Sequence, residues 1–517
     1  MPTKLKNIAV VSLSTVGSRV LGLLRDILIF AALGASLWNS AFILAFTLPN
    51  LFRRLLGEGA LTSAIVPVFS DVMEREGRER AFDFFNQVIV RLSIVLCILV
   101  TGGMCLLGFL AHSGWLSERW ALGSELAVVL LPYMIFICLA AIVSAGLNLV
   151  GRFAVAACTP ILLNLAMIGA VAAGLFLEAE TAQLVYWLCG GVLFGGLLQL
   201  LAPAWDLSRQ GWRPRLKVKA NAAMGELWRL FLPGLMGAAI LQVNILVSRL
   251  LAFTLDDSSV SVLYLASRLM ELPLGIFTVA VVTVFFPLMA RALSAQDADG
   301  FAKVFLQGMR LVVGISVPAG VGLCVLGEPI LGLLFQWGAF DQTDVIATIP
   351  LIAIYGIGLP FYSAATFATR GLHAGKDMKT PVRVAGLCLA VNAVSGIILM
   401  QFFGASGLAA ANVLAALVQA VVLWRALSKQ RPDISFSRLR PAILKVIGAG
   451  LLMGVFCALG LAFFNQFEWS EKLHAGLTVG TLVPAGAAFY FGLLYLFKFE
   501  ELQEMWALVR RVLPGDR

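Results

Sequence analysis

The stretch Ser93-Ile-Val-Leu-Cys-Ile-Leu-Val-Thr-Gly-Gly-Met-Cys-Leu-Leu-Gly-Phe-Leu-Ala111 carries no charged side chain. It matches the roughly 20 apolar residues that a helix needs to cross a bilayer core. Similar runs, separated by polar or Gly/Pro-rich breaks, recur at 7–33, 38–56, 84–111, 123–149, 159–177, 182–205, 228–255, 260–290, 304–326, 345–370, 381–402, 406–427, 441–465 and 474–497. They predict an all-α polytopic membrane protein with about fourteen transmembrane helices. The polar stretch 70–83 and the basic stretch 206–229 are expected to be its only sizeable loops. The composition of the 517 residues agrees, with 60% apolar, 13% charged and a mean hydropathy of +0.92. A soluble domain carries about a quarter charged residues, so soluble enzymes, nucleic-acid readers and disulfide scaffolds are excluded.

The net charge of +9 reads as topology, because cytoplasmic loops of membrane proteins collect Lys and Arg. With fourteen spans, one side receives nearly all the loop cations, from Lys4 and Lys6 to Arg510 and Arg511, and the other only Arg119 and Lys472. Both termini are therefore expected in the cytoplasm. The basic N-terminus does not open a signal peptide, since the following apolar segment is too long and is interrupted by Arg19 and Arg25. The eight cysteines show no C-x-x-C spacing and the three histidines are scattered, so neither a metal centre nor a cofactor is expected.

An internal repeat runs through these spans. Ser18-Arg19-Val20-Leu21 corresponds to Ser248-Arg249-Leu250-Leu251, and Ile65-Val66-Pro67-Val68-Phe69 to Phe285-Phe286-Pro287-Leu288-Met289. Gly151-Arg152 before Thr159-Pro160 is echoed by Gly375-Lys376 before Thr380-Pro381. The shared offset predicts two parallel six-helix lobes around a central cavity, 1–222 and 223–430, with two appended spans and a tail in 431–517. Parallel repeats of this kind are a transporter architecture.

Charged groups at bilayer depth are costly and mark function unless they pair or snorkel. Arg19 falls about 18 Å into span 1, whereas Arg25 and Arg268 lie about 12 Å from the outer edges of their spans. Arg53 is expected near the inner end of span 2, and Arg249 about 9 Å from the outer end of span 7, close enough to snorkel. Helical spacing allows Arg54 to pair with Glu58 and Arg268 with Glu271. Asp26 is expected to share a face with Arg19 and to point away from Arg25. Six arginines against Asp26, Glu58 and Glu271 leave three surplus positive charges, which predicts an anionic substrate, since arginine's fork suits phosphate and carboxylate oxygens.

Two motifs, Ser18-Arg19-Val20-Leu21-Gly22 with Arg25-Asp26 and Leu48-Pro49-Asn50-Leu51-Phe52-Arg53-Arg54 with Gly57-Glu58-Gly59-Ala60, are similar to those of the MurJ (MviN) lipid II flippases of the MOP superfamily. Ser267-Arg268-Leu269-Met270-Glu271-Leu272-Pro273 and Lys379-Thr380-Pro381 extend the resemblance over essentially the whole chain. It implies a flippase that carries lipid II to the periplasmic leaflet of the bacterial inner membrane by alternating access. Arg19, Arg25, Arg53 and Arg268 would bind the diphosphate, with Asp26 and Glu58 as organisers; Asn50, Arg54, Glu271 and Arg249, the last an addition to the family's pattern, are further candidates for support. Spans 13 and 14 would hold the polyprenyl tail. The expected partners are lipid II, membrane lipids and cell-wall synthesis proteins. Some family members carry acids where this chain has Ser40 and Ser267, so a gating role of those acids does not transfer. The chain has no G-x-x-x-x-G-K-[ST] loop, which leaves an ion gradient or the membrane potential as the driver. A flippase for another polyprenyl-linked glycan and a non-transporting envelope scaffold are the competing readings.

Overall fold

The computed structural model describes residues 2–57, 60–215 and 223–502. By packing, the chain divides into two compact units, Met1–Ser261 with Trp337–Phe340, and Val262–Gln336 with Asp341–Arg517.

The first unit contains α1 (Pro2–Leu33), α2 (Leu37–Phe52), a π-helical turn (Arg53–Gly57), α3 (Ala60–Glu76), α4 (Arg78–His112), α5 (Glu118–Leu130), α6 (Tyr133–Leu149), α7 (Ala154–Phe176), α8 (Thr181–Arg209) and α9 (Ala223–Leu255). Small residues bring α7 and α8 together, since a Cβ on Gly191 would meet Ala170 at 2.6 Å and one on Gly195 would meet Leu163 at 2.9 Å. Such contacts drive helix association where lipid removes the hydrophobic incentive. A buried polar chain stitches three helices: the Tyr133 hydroxyl donates to Gln199 Oε1 at 3.2 Å, and Gln199 Nε2 donates to the Thr159 carbonyl at 3.0 Å. The helix α9, which opens the second half of the repeat, packs on α2 and α3.

The second unit takes in α10 (Ser259–Pro273) from Val262 on, then a π-helical turn (Leu274–Thr278), α11 (Val279–Ser294), α12 (Ala298–Leu334), α13 (Gln342–Ala374), the helical run α14 (Lys379–Gln430), α15 (Phe436–Phe464) and α16 (Glu471–Leu496). Its core includes Phe285, Phe301, Phe305 and Phe367 with Trp424 against them, and a second cluster joins α12, α15 and α16. There the Tyr490 hydroxyl donates to the Gly314 carbonyl at 2.7 Å.

A straight α14 of 52 residues would span about 78 Å. Instead Asp377, just before it, accepts from Gln430 at its far end at 2.8 Å. The run is thus two antiparallel helices folded at Gly404, whose φ of 53° and ψ of −132° suit glycine alone. The two spans expected at 381–402 and 406–427 occupy its two arms.

All the expected segments fall on helices. Among the described residues, nine helices are long and apolar enough to cross a membrane, or ten if α5 and α6, bent by 42° at their break, form one span. The expected loop at 70–83 is instead helical on both sides of Gly77, where a φ of 85° ends α3 and α4 begins at once. Polarity there marks helix extending past the apolar band, because Glu, Arg and Met are good helix formers in any solvent. Arg119 and Lys472 are engaged at helix C-termini, where cations satisfy orphan carbonyls. Arg119 donates to the Phe253 carbonyl at 3.1 Å and pairs with Asp257 at 2.9 Å. Lys472 donates to the carbonyls of Gly332, at 2.6 Å, and Gln336.

Candidate functional site

Of the six arginines, Arg268 belongs to the second unit and the other five to the first, each with its own surroundings. Arg25 is 12% exposed and Asp26 2%, and they are joined: Arg25 Nε and Nη2 donate to Asp26 Oδ1 at 3.0 and 2.6 Å. The expectation that Asp26 points away from Arg25 fails. Adjacent Cβ atoms diverge by about 100° on a helix, but the long arginine side chain curls back across that angle. Its Nη1 also donates to Asn164 Oδ1 on α7 at 3.1 Å, while Asn164 Nδ2 donates to the Ser18 carbonyl at 3.0 Å. Asn164 therefore orients the guanidinium. Sequence reasoning missed it, although a lone amide inside the apolar run Ile161-Leu162-Leu163-Asn164-Leu165 was a signal. Arg19, six residues from Arg25 and so about 120° around the helix, is exposed on another face.

The basic pair on span 2 sits at a break in helical geometry. Pro49, which removes a backbone donor, precedes the π-helical turn that carries Arg53 and Arg54. Arg53 thus lies about 24 Å from the start of α2, and helix Ala60–Glu76 follows the turn that carries it. The Arg53 guanidinium is partly buried, within electrostatic reach of Cys138 on α6. Arg54 is exposed, and Glu58, its expected partner, lies outside the described residues. Asn50 spends its amide on its own helix, Nδ2 donating to the Phe46 carbonyl at 3.0 Å.

Arg249 does not snorkel to the near end of α9. Its Nη1 donates to Thr47 Oγ1 on α2, a buried hydroxyl that in turn donates to the Ile43 carbonyl at 2.6 Å. In the second unit, Arg268 and Glu271 make the expected i,i+3 pair at 3.3 Å. Ser267 and Ser40 both bond locally. Ser267 donates to the Tyr264 carbonyl at 2.8 Å. Ser40, fully buried, donates to the Asp257 carbonyl at 2.6 Å and lies 2.8 Å from Ser261 Oγ. The π-helical turns begin at 53 and 274, the same separation of 221 residues that parts Ser40 from Ser261. π-Turns within α-helices are frequent at functional sites.

Arg25 is oriented by Asp26 and Asn164, Arg249 by Thr47 and Arg268 by Glu271, and guanidinium groups held in this way suit oxyanions. The family model described as "Lipid II flippase MurJ" matches residues 29–479. The chain is 32% identical to a probable lipid II flippase MurJ of Rhizobium meliloti (strain 1021), covering 95% of this chain and 93% of that one. It is also 32% identical to the corresponding protein of Vibrio cholerae serotype O1, covering 95% and 96%. Among solved structures, it superposes on a lipid II flippase MurJ in an inward closed conformation with a TM-score of 0.78 and 26% identity, over 94% of this chain and 98% of that one. The inward-facing form of a multidrug resistance MATE family transporter of the MOP superfamily shares the fold at 0.66 and 14% identity, over 81% and 95%.

Proposed function

The chain belongs to the MurJ family of lipid II flippases, and on that premise we propose that it carries undecaprenyl-diphosphate-linked disaccharide-pentapeptide across the inner membrane, gripping the diphosphate with Arg19, Arg25, Arg53 and Arg268. It is a multi-span transporter and not an enzyme: the head group changes leaflet and no covalent bond changes. The observation that carries the reading is the match to the flippase family along nearly the whole chain.

In this mechanism fourteen crossings form two six-helix halves, 1–222 and 223–430, that alternate in exposing the cavity. The termini stay in the cytoplasm, and spans 13 and 14 guide the polyprenyl tail. The guanidinium of Arg25 is pre-oriented by Asp26 and Asn164, so little rotamer entropy is lost on meeting a phosphate. The paired carboxylate tempers its affinity, and a carrier must release its cargo as well as bind it. Arg53, beside a π-turn, moves with whatever local rearrangement the helix makes there. An ion gradient or the membrane potential, worth about 2.3 kcal/mol per charge per 100 mV, supplies direction.

The test is depletion of the protein in its host, followed by assay of lipid II at the periplasmic face with wild type, Arg53→Ala and Arg268→Ala as rescue constructs. Rescue by wild type alone, with all three proteins equally abundant in the membrane, supports the reading. Full rescue by both variants removes the arginine assignment. Unchanged lipid II accessibility on depletion, in a host with no second flippase, points instead to another polyprenyl-linked glycan.

A further inference from the structure

A cavity of about 400 Å³ opens at the end of the first unit where α4 begins and α8 ends, lined in part by Arg78, Glu79, Asp83, Asn86, Arg213 and Arg215. Its walls are built. Asn86 Nδ2 donates to the Arg213 carbonyl at 2.9 Å, and the buried Trp212 donates its indole N–H to Asn86 Oδ1 at 2.9 Å. Trp212 packs edge-on against Phe85, which holds the segment after α8 down on α4. Arg78 donates to the Gln210 carbonyl and lies over the Phe82 ring. Asp83 is already engaged by Arg215 at 3.4 Å. Among the described lining residues, Arg78 and Arg213 are then offset by Glu79, which leaves one surplus positive charge.

Two further features select the occupant. The first turn of α4 borders the cavity, and its N-cap, Gly77, supplies no side-chain hydrogen bond, so its orphan N–H groups and dipole favour an anion. Just before the cavity in the chain, Trp205 is 62% exposed near the end of α8 with Arg209 stacked 4.0 Å above its ring. An exposed tryptophan at a span end sits at headgroup level, and only about 7.5 Å of helix separates it from Gln210. Basic pockets between helices at that depth take lipid phosphates.

We infer that this cavity binds a phosphate-type oxyanion, that of an anionic phospholipid headgroup, at a site separate from the transport arginines. The experiment is native mass spectrometry of the purified full chain in neutral detergent, titrated with phosphatidylglycerol or phosphatidylcholine, with inorganic phosphate as competitor. Phosphatidylglycerol should bind in preference to phosphatidylcholine. Arg213→Gln should weaken it about fivefold and Arg78→Gln/Arg213→Gln about 25-fold, the factors for about 1 kcal/mol per basic residue. Arg438→Gln/Arg440→Gln, which removes equal charge from the start of α15, should have no effect. Arg213 joins the fold through its backbone carbonyl, so the single variant keeps the test intact if the double variant does not fold. Failure of phosphate to displace the lipid identifies the membrane as source, whereas displacement by phosphate at millimolar concentration supports the same site with a soluble occupant. Equal binding of the two lipids, or equal weakening in pocket and control variants, overturns the inference.

Discussion

The hydroxyls of Ser40 on α2 and Ser261 on α10 are 2.8 Å apart and fully buried, although 221 residues separate them in the chain. That separation lies between the 220 residues from Ile65 to Phe285 and the 230 from Ser18 to Ser248 that suggest the repeat in the sequence. The Ser40 hydroxyl also reaches the Asp257 carbonyl, just ahead of α10. If α2 and the start of α10 must part during transport, a covalent bond there arrests it. Oxidation of the Ser40→Cys/Ser261→Cys protein should form a disulfide and abolish periplasmic delivery of lipid II, and a reductant should restore it. Cross-linking without loss of delivery would show that this contact persists throughout the cycle.

The packing role of Arg25 and the diphosphate-binding role proposed for it are separable by mutation. Arg25→Ala removes two hydrogen bonds to a carboxylate that is 2% exposed, and removing one partner of a buried pair costs about 3–5 kcal/mol. A lowered melting temperature in detergent is expected. Arg25→Ala/Asp26→Asn should recover most of the stability and none of the transport. Recovery of both would make the pair purely structural.

The fold of α14 rests on one backbone conformation. Nothing lies within 4 Å of a Cβ placed on Gly404, yet its φ is +53°. Gly404→Ala should therefore cost about 1–3 kcal/mol through strain alone. Gly386 lies in helix with equally open surroundings, and Gly386→Ala should stabilise by about 0.5–1 kcal/mol. Thermal melting of the two variants should move in opposite directions.

Asp377 seals the hairpin. Hydrogen bonds from the Thr380 side chain and backbone, with others from Gln430 and the Lys379 amide, lower its pKa from 3.8 to about 2. The unfolded chain therefore binds the proton more readily, so this contribution is complete above pH 3.8 and lost as pH falls towards 2. The carboxylate lies in a loop and is partly open to solvent, and screening there keeps the effect to about 1 kcal/mol. Melting curves between pH 5 and 2 should show a smaller loss for Asp377→Asn than for wild type.

The class of the protein and the position of its helices were legible in the sequence because both follow from local chemistry. An uncharged run as long as Ser93–Ala111 has few alternatives, and an apolar helix keeps its backbone satisfied without help from the rest of the chain. The same holds for the Arg268–Glu271 pair, one helical turn apart. What the tertiary structure alone decided depends on side-chain length or on packing between distant segments. The curl of Arg25 onto Asp26, its orientation by Asn164 from 139 residues away and the capture of Arg249 by Thr47 across 202 residues leave no periodic trace. Nor does the continuation of helix past Arg53, since hydropathy measures where the apolar band stops and hydrogen bonding decides where the helix does.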